Sequence, residues 1–239
     1  MGPKRQMTKP ALILTRPAPA CVAFAASLPA ALLSRVRVVT SPLLQIRPTA
    51  VPVDLGGIGG VIFTSANGVA HGPKGGTLPA YCVGEATAQA AAAKGWQVAF
   101  HAPDAARLLP MIKAHRPAAP LLHLRGTHQR GDIAERLTQA GLPTRPVVLY
   151  DQQALPLTRD AQAALADGPS IVPLFSPRTA AQFADQACET RRATIIALSP
   201  AVAEALDRTV VQQILIAPEP TATSLRFTLE TAVDWNRLA

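Results

Sequence analysis

Short apolar runs in this chain are repeatedly followed by small polar or cationic residues: Thr15-Arg16, Thr64-Ser65-Ala66-Asn67, Gly84-Glu85-Ala86-Thr87, Arg125-Gly126-Thr127, Ser176-Pro177-Arg178 and Ser199-Pro200. An apolar run giving way to such a group reads as a buried strand that ends where a helix begins. The chemistry open to that place is anion binding, because a helix start offers unpaired N–H groups and the positive end of its dipole. Taken singly, Ser65, Ser176 and Ser199 read as helix N-caps, each worth about 1 kcal/mol. Repetition on one rim points instead to a ligand with several negative charges, held by Arg16, Ser65, Ala66, Thr87, Arg125, Ser176, Pro177 and Ser199. Tyr150, one of only two tyrosines, ends the extended stretch VVLY. It is either a packing residue or the one phenol able to reach a bound ligand.

Other chemical patterns fail on spacing. The GGIGG run (Gly56–Gly60) precedes its strand, whereas a dinucleotide fingerprint needs its glycines between strand and helix. HGPKGG (His71–Gly76) lacks the Gly-Lys-Ser/Thr ending of a phosphate loop and reads as a turn. His123 and His128 have no further ligand at metal-binding spacing. No Ser–His–acid order or Gly-x-Ser-x-Gly elbow stands out. Cys21, Cys82 and Cys188 are far apart and show no CxxC spacing, so they read as reduced thiols. No metal and no cofactor are expected.

The elements that would position the polar rim alternate between strand and helix along most of the chain. Strands are predicted at Ala11–Leu14, Arg35–Ile46, Val61–Phe63, Tyr81–Val83, Gln97–Phe100, Pro120–Leu124, Ile171–Phe175, Thr194–Leu198 and Gln213–Ile216. Helices are predicted near Pro19–Leu33, Glu85–Lys94, Asp104–His115, Asp132–Ala140, Thr158–Ala166, Pro177–Glu189, Pro200–Asp207 and Thr221–Leu238. Continuous apolar strands separated by helices imply parallel sheets covered on both faces. The run VIFTSANGV, AYCVGEATAQA, VAFHAPDAARLL is echoed downstream by VPLFSPRTA, IIALSPAVAEA, ILIAPEPTATSL. Phe63 and Phe175 are offset by 112; Val83 and Leu198, like Pro103 and Pro218, are offset by 115. Two copies of one unit follow. The second copy has three strong strands and needs the Ala11–Leu14 strand to complete it. The expected fold is therefore α/β, with two doubly wound parallel-sheet domains joined by a two-stranded antiparallel linker. Residues 1–40 and 154–239 form a discontinuous domain around an inserted domain, 49–145. Segments 41–48 and 146–153 are the linker strands.

Composition narrows the partner. Of the 239 residues, 49% are hydrophobic and 16% charged, which fits a globular chain. No apolar run reaches the roughly 20 residues of a membrane span, and the basic opening lacks the features of a secretory signal. A cytoplasmic, membrane-free protein is expected. The net charge of +8 asks for an acidic partner, but arginines are scattered beyond the first ten residues and aromatics make up only 4%. That argues against nucleic acid, which needs stacking platforms or a basic stripe. An acidic small molecule remains, bound either by an enzyme or by a non-catalytic two-lobed sensor. A monomer is expected, since no strongly apolar exposed helix is evident.

The segments ALILTRP (Ala11–Pro17), SPLLQI (Ser41–Ile46), VIFTSANGV (Val61–Val69), AYCVGEAT (Ala80–Thr87), LLHLRG (Leu121–Gly126), VVLY (Val147–Tyr150), LFSPRTA (Leu174–Ala180) and IIALSP (Ile195–Pro200) together resemble the uroporphyrinogen-III synthase family. The resemblance implies two α/β domains on a two-stranded ladder and no cofactor. It also implies an enzyme of tetrapyrrole biosynthesis, a cyclising hydro-lyase. Its substrate is hydroxymethylbilane, a linear tetrapyrrole with eight carboxylate arms, and its product is uroporphyrinogen III, with ring D inverted and water released. A transient hand-over from hydroxymethylbilane synthase belongs to the same picture. Tyr150 matches the family's linker tyrosine and would assist departure of the hydroxyl. Ser65, Thr87, Ser176 and Ser199 match cleft positions that anchor carboxylates. One departure is Val202, where relatives carry a threonine in the second copy.

Overall fold

The computed structural model describes residues 9–117, 120–128, 131–187, 189–206 and 211–235. The basic opening segment and Cys188 lie outside these residues. The chain divides into two compact units, Met1–Gln45 with Ala154–Ala239, and Ile46–Gln153.

The first unit contains β1 (Ala11–Leu14), α1 (Ala18–Ala26), α2 (Ala30–Leu33) and β2 (Arg37–Thr40) from the start of the chain. The second opens with β3 (Leu44–Pro48), whose first residues still belong to the first unit, and continues through β4 (Gly60–Phe63), α3 (Ala66–His71), β5 (Pro79–Val83) and α4 (Glu85–Ala93). Next come β6 (Gln97–Ala102), α5 (Ala105–His115), β7 (Leu121–Gly126), α6 (Ile133–Gln139) and β8 (Thr144–Ala154). The chain then returns to the first unit with α7 (Arg159–Asp167), β9 (Ser170–Leu174), α8 (Pro177–Gln186), β10 (Ala193–Ala197), α9 (Pro200–Glu204), β11 (Gln213–Ile216) and α10 (Ala222–Trp235).

Among the described residues, one sheet runs β11-β10-β9-β1-β2 and the other β3-β8-β7-β4-β5-β6. The pairings β1–β2, β1–β9, β9–β10 and β10–β11 are parallel, as are β4–β5, β4–β7, β5–β6 and β7–β8. The α/β fold expected from the sequence is therefore present. Reading both sheets from their far edges, β9, β10 and β11 hold the places of β4, β5 and β6, and β1 holds the place of β7. The first strand of the chain thus completes the downstream copy.

Strand residues alternate between two cores in each unit. Ala11 and Ile13 face Ala161, Phe183 and Val202, whereas Leu12 and Leu14 face Phe24, Leu225 and Leu229. In the second unit Val61 and Phe63 pack with Val69 and Ala91; Ile62 packs on the opposite side with Leu109, Ile112 and Leu137. Covering both faces explains why β1, β4, β9 and β10 are buried along their whole length.

Three sequence expectations need correcting. The alanine-rich stretch 19–33 is two helices, because Pro29 ends the first helical path and opens the second. The 35–46 stretch is two strands on different sheets, β2 and β3, with Pro42 in the gap between them. Finally, Phe63 corresponds to Leu174, one position before the residue paired with it from sequence: these two end β4 and β9, and Ser65 and Ser176 follow as caps.

At the outer edge of the second sheet, β3 lies beside β8. Thr49 N donates to Leu149 O at 2.9 Å and Arg47 Nε to Gln153 Oε1 at 2.8 Å, so residue numbers rise on one side as they fall on the other. In the first unit, Leu155 N donates to Leu43 O, and Gln182 Nε2 donates to the carbonyls of both residues.

The HGPKGG segment is a turn with a packing task. Gly75 N donates to Lys94 O, and a Cβ on Gly75 would fall 2.0 Å from the carbonyl carbon of Gly95, so only glycine fits. The half-buried Lys94 side chain closes α3 from outside, donating from Nζ to the carbonyls of Val69, Ala70 and Gly72 at 2.6, 2.7 and 2.6 Å. These are the carbonyls a helix end leaves without partners, and a cation beside them also favours the dipole. Lys94→Met keeps the apolar stem but removes the donors. It is expected to lower stability by about 2 kcal/mol, read as a reduced urea midpoint at unchanged slope; an unchanged midpoint would refute this role.

Candidate functional site

The carboxyl ends of β4, β5, β7 and β8 carry the polar residues of the second unit. β4 ends at Phe63, Thr64 follows, and Ser65 caps α3 by accepting from Gly68 N at 3.2 Å. Ala66, the first residue of that helix, is exposed. β5 ends at Val83, and Gly84 turns the chain with φ of +82°. Thr87, two residues into α4, is buried. Val202 occupies the same third position of α9 and is also buried, so the missing hydroxyl of the second copy is replaced by core packing.

Tyr150 stands on β8 beside the end of β7. Its register partner is Gly126, reached through an irregularity after Arg125. The ring is buried, and its hydroxyl lies 2.8 Å from Ser65 Oγ. The His71 ring sits 5.8 Å away, centroid to centroid, at a tilt of 38°. A Cβ at Gly126 would come within 2.6 Å of Tyr150 Cε2 and Cζ, so the missing side chain is what admits the phenol. Thr127 N then bonds Tyr150 O at 2.9 Å.

Arg125 is half-buried. Its Nη1 donates to Gly126 O at 2.9 Å and Thr127 O at 3.1 Å, fastening the turn after β7. Its Nε is buried and makes no hydrogen bond among the described residues. A cavity of about 390 Å³ opens beside it, lined also by Asp132, Glu135, Thr138 and Thr144.

In the first unit, Ser176 caps α8, accepting from Thr179 N at 3.2 Å and sharing a 2.8 Å contact with Thr179 Oγ1, and Pro177 is the first helical residue. Ser199 precedes α9, but its side chain makes no capping bond. Arg16 follows β1 with its guanidinium 4.4 Å from the centroid of the Phe175 ring, a stacked arrangement that keeps a cation in place. Burial pulls the pKa of Arg16 down from its ordinary value. The Arg16 carbonyl accepts from Cys21 Sγ at 2.9 Å, and burial raises that thiol to about 11, which leaves it unreactive.

The structure thus joins Ser65 and Tyr150 directly and places Arg125 at the same strand ends. Arg16, Ser176, Pro177 and Ser199 belong to the other unit. Sequence reasoning passed over His71 as part of a turn and His123 as an isolated histidine. His123 is wholly buried on β7; its Nε2 lies 3.4 Å from Thr64 Oγ1, and Nδ1 has no partner among the described residues. The signal available was a histidine inside an otherwise apolar strand, two residues before a rim arginine. Among the described residues, no three His, Cys, Asp or Glu side chains are grouped to hold a metal ion, and no helix is long and apolar enough to cross a membrane.

Burial, with Arg125 adding to it, pushes the pKa of His123 down to about 4. An unfolded histidine titrates near 6.5, so between these values the unfolded chain binds a proton that the folded chain refuses. Stability is therefore full above about pH 6.5 and falls as pH drops toward 4, by about 2 kcal/mol at pH 5 from this residue alone. His123→Gln should flatten that slope. Urea melts of both proteins at pH 5 and 7.5 test it: an equal acid loss in the two would remove His123 as the cause.

Residues 33–226 match the family of uroporphyrinogen-III synthase HemD. No curated protein sequence matches the chain significantly. By fold, the chain is similar to a uroporphyrinogen-III synthetase from Helicobacter pylori, with a TM-score of 0.67 at 18% identity over 95% of this chain and 99% of the other. A mutant uroporphyrinogen III synthase from Thermus thermophilus is similar with a TM-score of 0.53 at 12% identity, over 94% and 99% of the two chains. These identities speak for the shared α/β architecture; the family match extends over most of the sequence and includes the segments that carry Ser65, Thr87, Arg125, Tyr150, Ser176 and Ser199. The chain belongs to the uroporphyrinogen-III synthase family.

Proposed function

We propose that this chain is a uroporphyrinogen-III synthase, a hydro-lyase that cyclises hydroxymethylbilane to uroporphyrinogen III with inversion of ring D. The observation that carries the reading is the family match across residues 33–226. Polar groups at the carboxyl ends of the parallel strands, where open α/β sheets bind ligands, agree with it. The net charge of +8 suits an octa-anionic substrate.

Carboxylate arms are received at Arg16, Ser176, Pro177 and Ser199 in the first unit and at Ser65, Ala66, Thr87 and Arg125 in the second. Their contribution is orientation. Uncatalysed closure joins ring D through its unsubstituted carbon and gives the type I isomer. The enzyme must instead bring the substituted carbon to the electrophile, and anchoring energy from remote arms serves that purpose. Loss of the ring A hydroxyl as water leaves an azafulvene. Attack by the substituted carbon of ring D gives a spiro intermediate that fragments and recloses inverted. Tyr150 gives a proton to the departing oxygen. No metal or organic cofactor enters these steps.

The finer domain division belongs to the same reading: 1–40 with 154–239, an inserted 49–145, and linker strands 41–48 and 146–153. So do a cytoplasmic location, a monomeric state and transient hand-over from hydroxymethylbilane synthase.

Freshly generated hydroxymethylbilane, with products oxidised and the type I and type III isomers separated, tests the function. A type III excess scaling with protein is expected; type I alone from folded protein would refute the synthase reading. Tyr150→Phe should lower kcat by about a hundredfold, as for loss of a general acid, with KM changed much less. Unchanged kcat would remove the catalytic role of Tyr150.

A further inference from the structure

The Ser65 hydroxyl has more work than a helix cap requires. One lone pair of Oγ accepts the Gly68 N–H at 3.2 Å, and the same oxygen lies 2.8 Å from Tyr150 Oη. A hydroxyl has one proton and two lone pairs. With one lone pair engaged by the backbone, its proton is available to Tyr150. The phenol cannot swing away to find another partner: its ring is buried, packed against His71 on α3, and seated where Gly126 has no side chain. Ser65 and His71 both sit on or beside α3, whose far end Lys94 holds through three carbonyls. The Ser65–Tyr150 contact is therefore fixed from both partners.

We infer that Ser65 is a positioning residue for Tyr150, donating its proton to the phenol oxygen so that the phenol O–H is left directed at the substrate. The inference rests on the synthase reading and assigns Ser65 a task beyond anchoring a carboxylate. In the reaction, the Tyr150 proton passes to the hydroxyl oxygen on ring A. The C–O bond breaks, water leaves, and the pyrrole nitrogen lone pair supplies the electrons for the azafulvene double bond. The phenolate formed meanwhile accepts the Ser65 O–H. It recovers its proton from the pyrrole system when the closed macrocycle rearomatises, so the enzyme returns to its starting state. The opposite direction, Tyr150 donating to Ser65, would spend the phenol proton within the protein and leave the leaving group without it.

A double-mutant cycle with Ser65→Gly, Ser65→Thr, Tyr150→Phe and the Gly/Phe pair tests this. Glycine is a tolerated N-cap, and circular dichroism with urea melts checks folding of each variant. Ser65→Gly is expected to lower kcat by about tenfold, separately from the rise in KM that loss of a carboxylate anchor brings, since the interaction with Tyr150 matters most as the phenolate forms. Ser65→Thr, which keeps the hydroxyl, should recover most of kcat. In the Tyr150→Phe background the glycine substitution should cost little more, because the group it acts through is gone. A rise in KM with kcat unchanged, or the same kcat loss in both backgrounds, would overturn the inference and leave Ser65 with substrate contact alone. Failure of the underlying reading is distinct: the unaltered protein would then form no type III excess, or Tyr150→Phe alone would leave kcat intact.

Discussion

Because the central strands of both sheets are buried on two faces, side chains along them have nowhere to meet solvent. Val61, Ile62, Phe63, Ile195, Ile196 and Ala197 are wholly inaccessible, and helices cover each side. Polar groups are costly in such an interior unless paired, so they collect where the strands stop. Parallel pairing makes neighbouring strands stop on one side, which turns several separate sequence segments into one rim. Thr64 and Ser65 after β4, Gly84 after β5, and Arg125 and Gly126 at the end of β7 become neighbours for this reason. The chemistry of the second unit follows from that constraint more than from any contiguous motif.

The same constraint explains what could be read from the sequence. Strands buried on both faces are written as unbroken apolar runs, and the groups closing them as Thr-Ser or Arg-Gly pairs, so the strands and Ser65, Arg125 and Ser176 were legible. The repeat was legible as well, together with the use of Ala11–Leu14 to complete the second copy. Its register was misread by one residue, because Phe175 resembles Phe63 in type but lies outside the strand, under the Arg16 guanidinium and edge-on to Phe24. Long-range contacts left no trace in local pattern. Lys94 looks like the exposed end of an alanine helix, yet its ammonium meets carbonyls more than twenty residues away. His71 and Tyr150 are separated by most of the second unit in sequence and meet only because α3 and β8 pack on the same face.

The two copies are alike in plan and unequal in chemistry. Ser65 and Ser176 are equivalent caps, but Ser65 reaches a phenol whereas Ser176 reaches Thr179 within its own helix. Thr87 has a hydroxyl where Val202 has methyl groups. Arg16 lies just past, and Arg125 near the end of, the strand next to the repeat's first member, one stacked on an aromatic ring and the other bonded to backbone carbonyls. The repeat gives two rims with polar groups in the same places but with different partners.

The tyrosines make that division concrete. Of the two in the chain, Tyr81 is sealed inside the second unit with its hydroxyl unpartnered among the described residues, and burial raises its pKa. Tyr150 instead stands beside a strand end, because β8 runs on past the end of β7, next to a glycine. In the first unit β2, which holds the corresponding place beside β1, ends at Thr40 and is followed by Ser41, Pro42 and the buried Leu43. No phenol can be presented there. The proposed reaction needs one proton, given to one departing oxygen, and a single tyrosine held by Ser65, His71 and the space at Gly126 is placed to give it. On that proposal the first unit is left to hold carboxylates, for which Arg16, Ser176 and Ser199 have suitable chemistry.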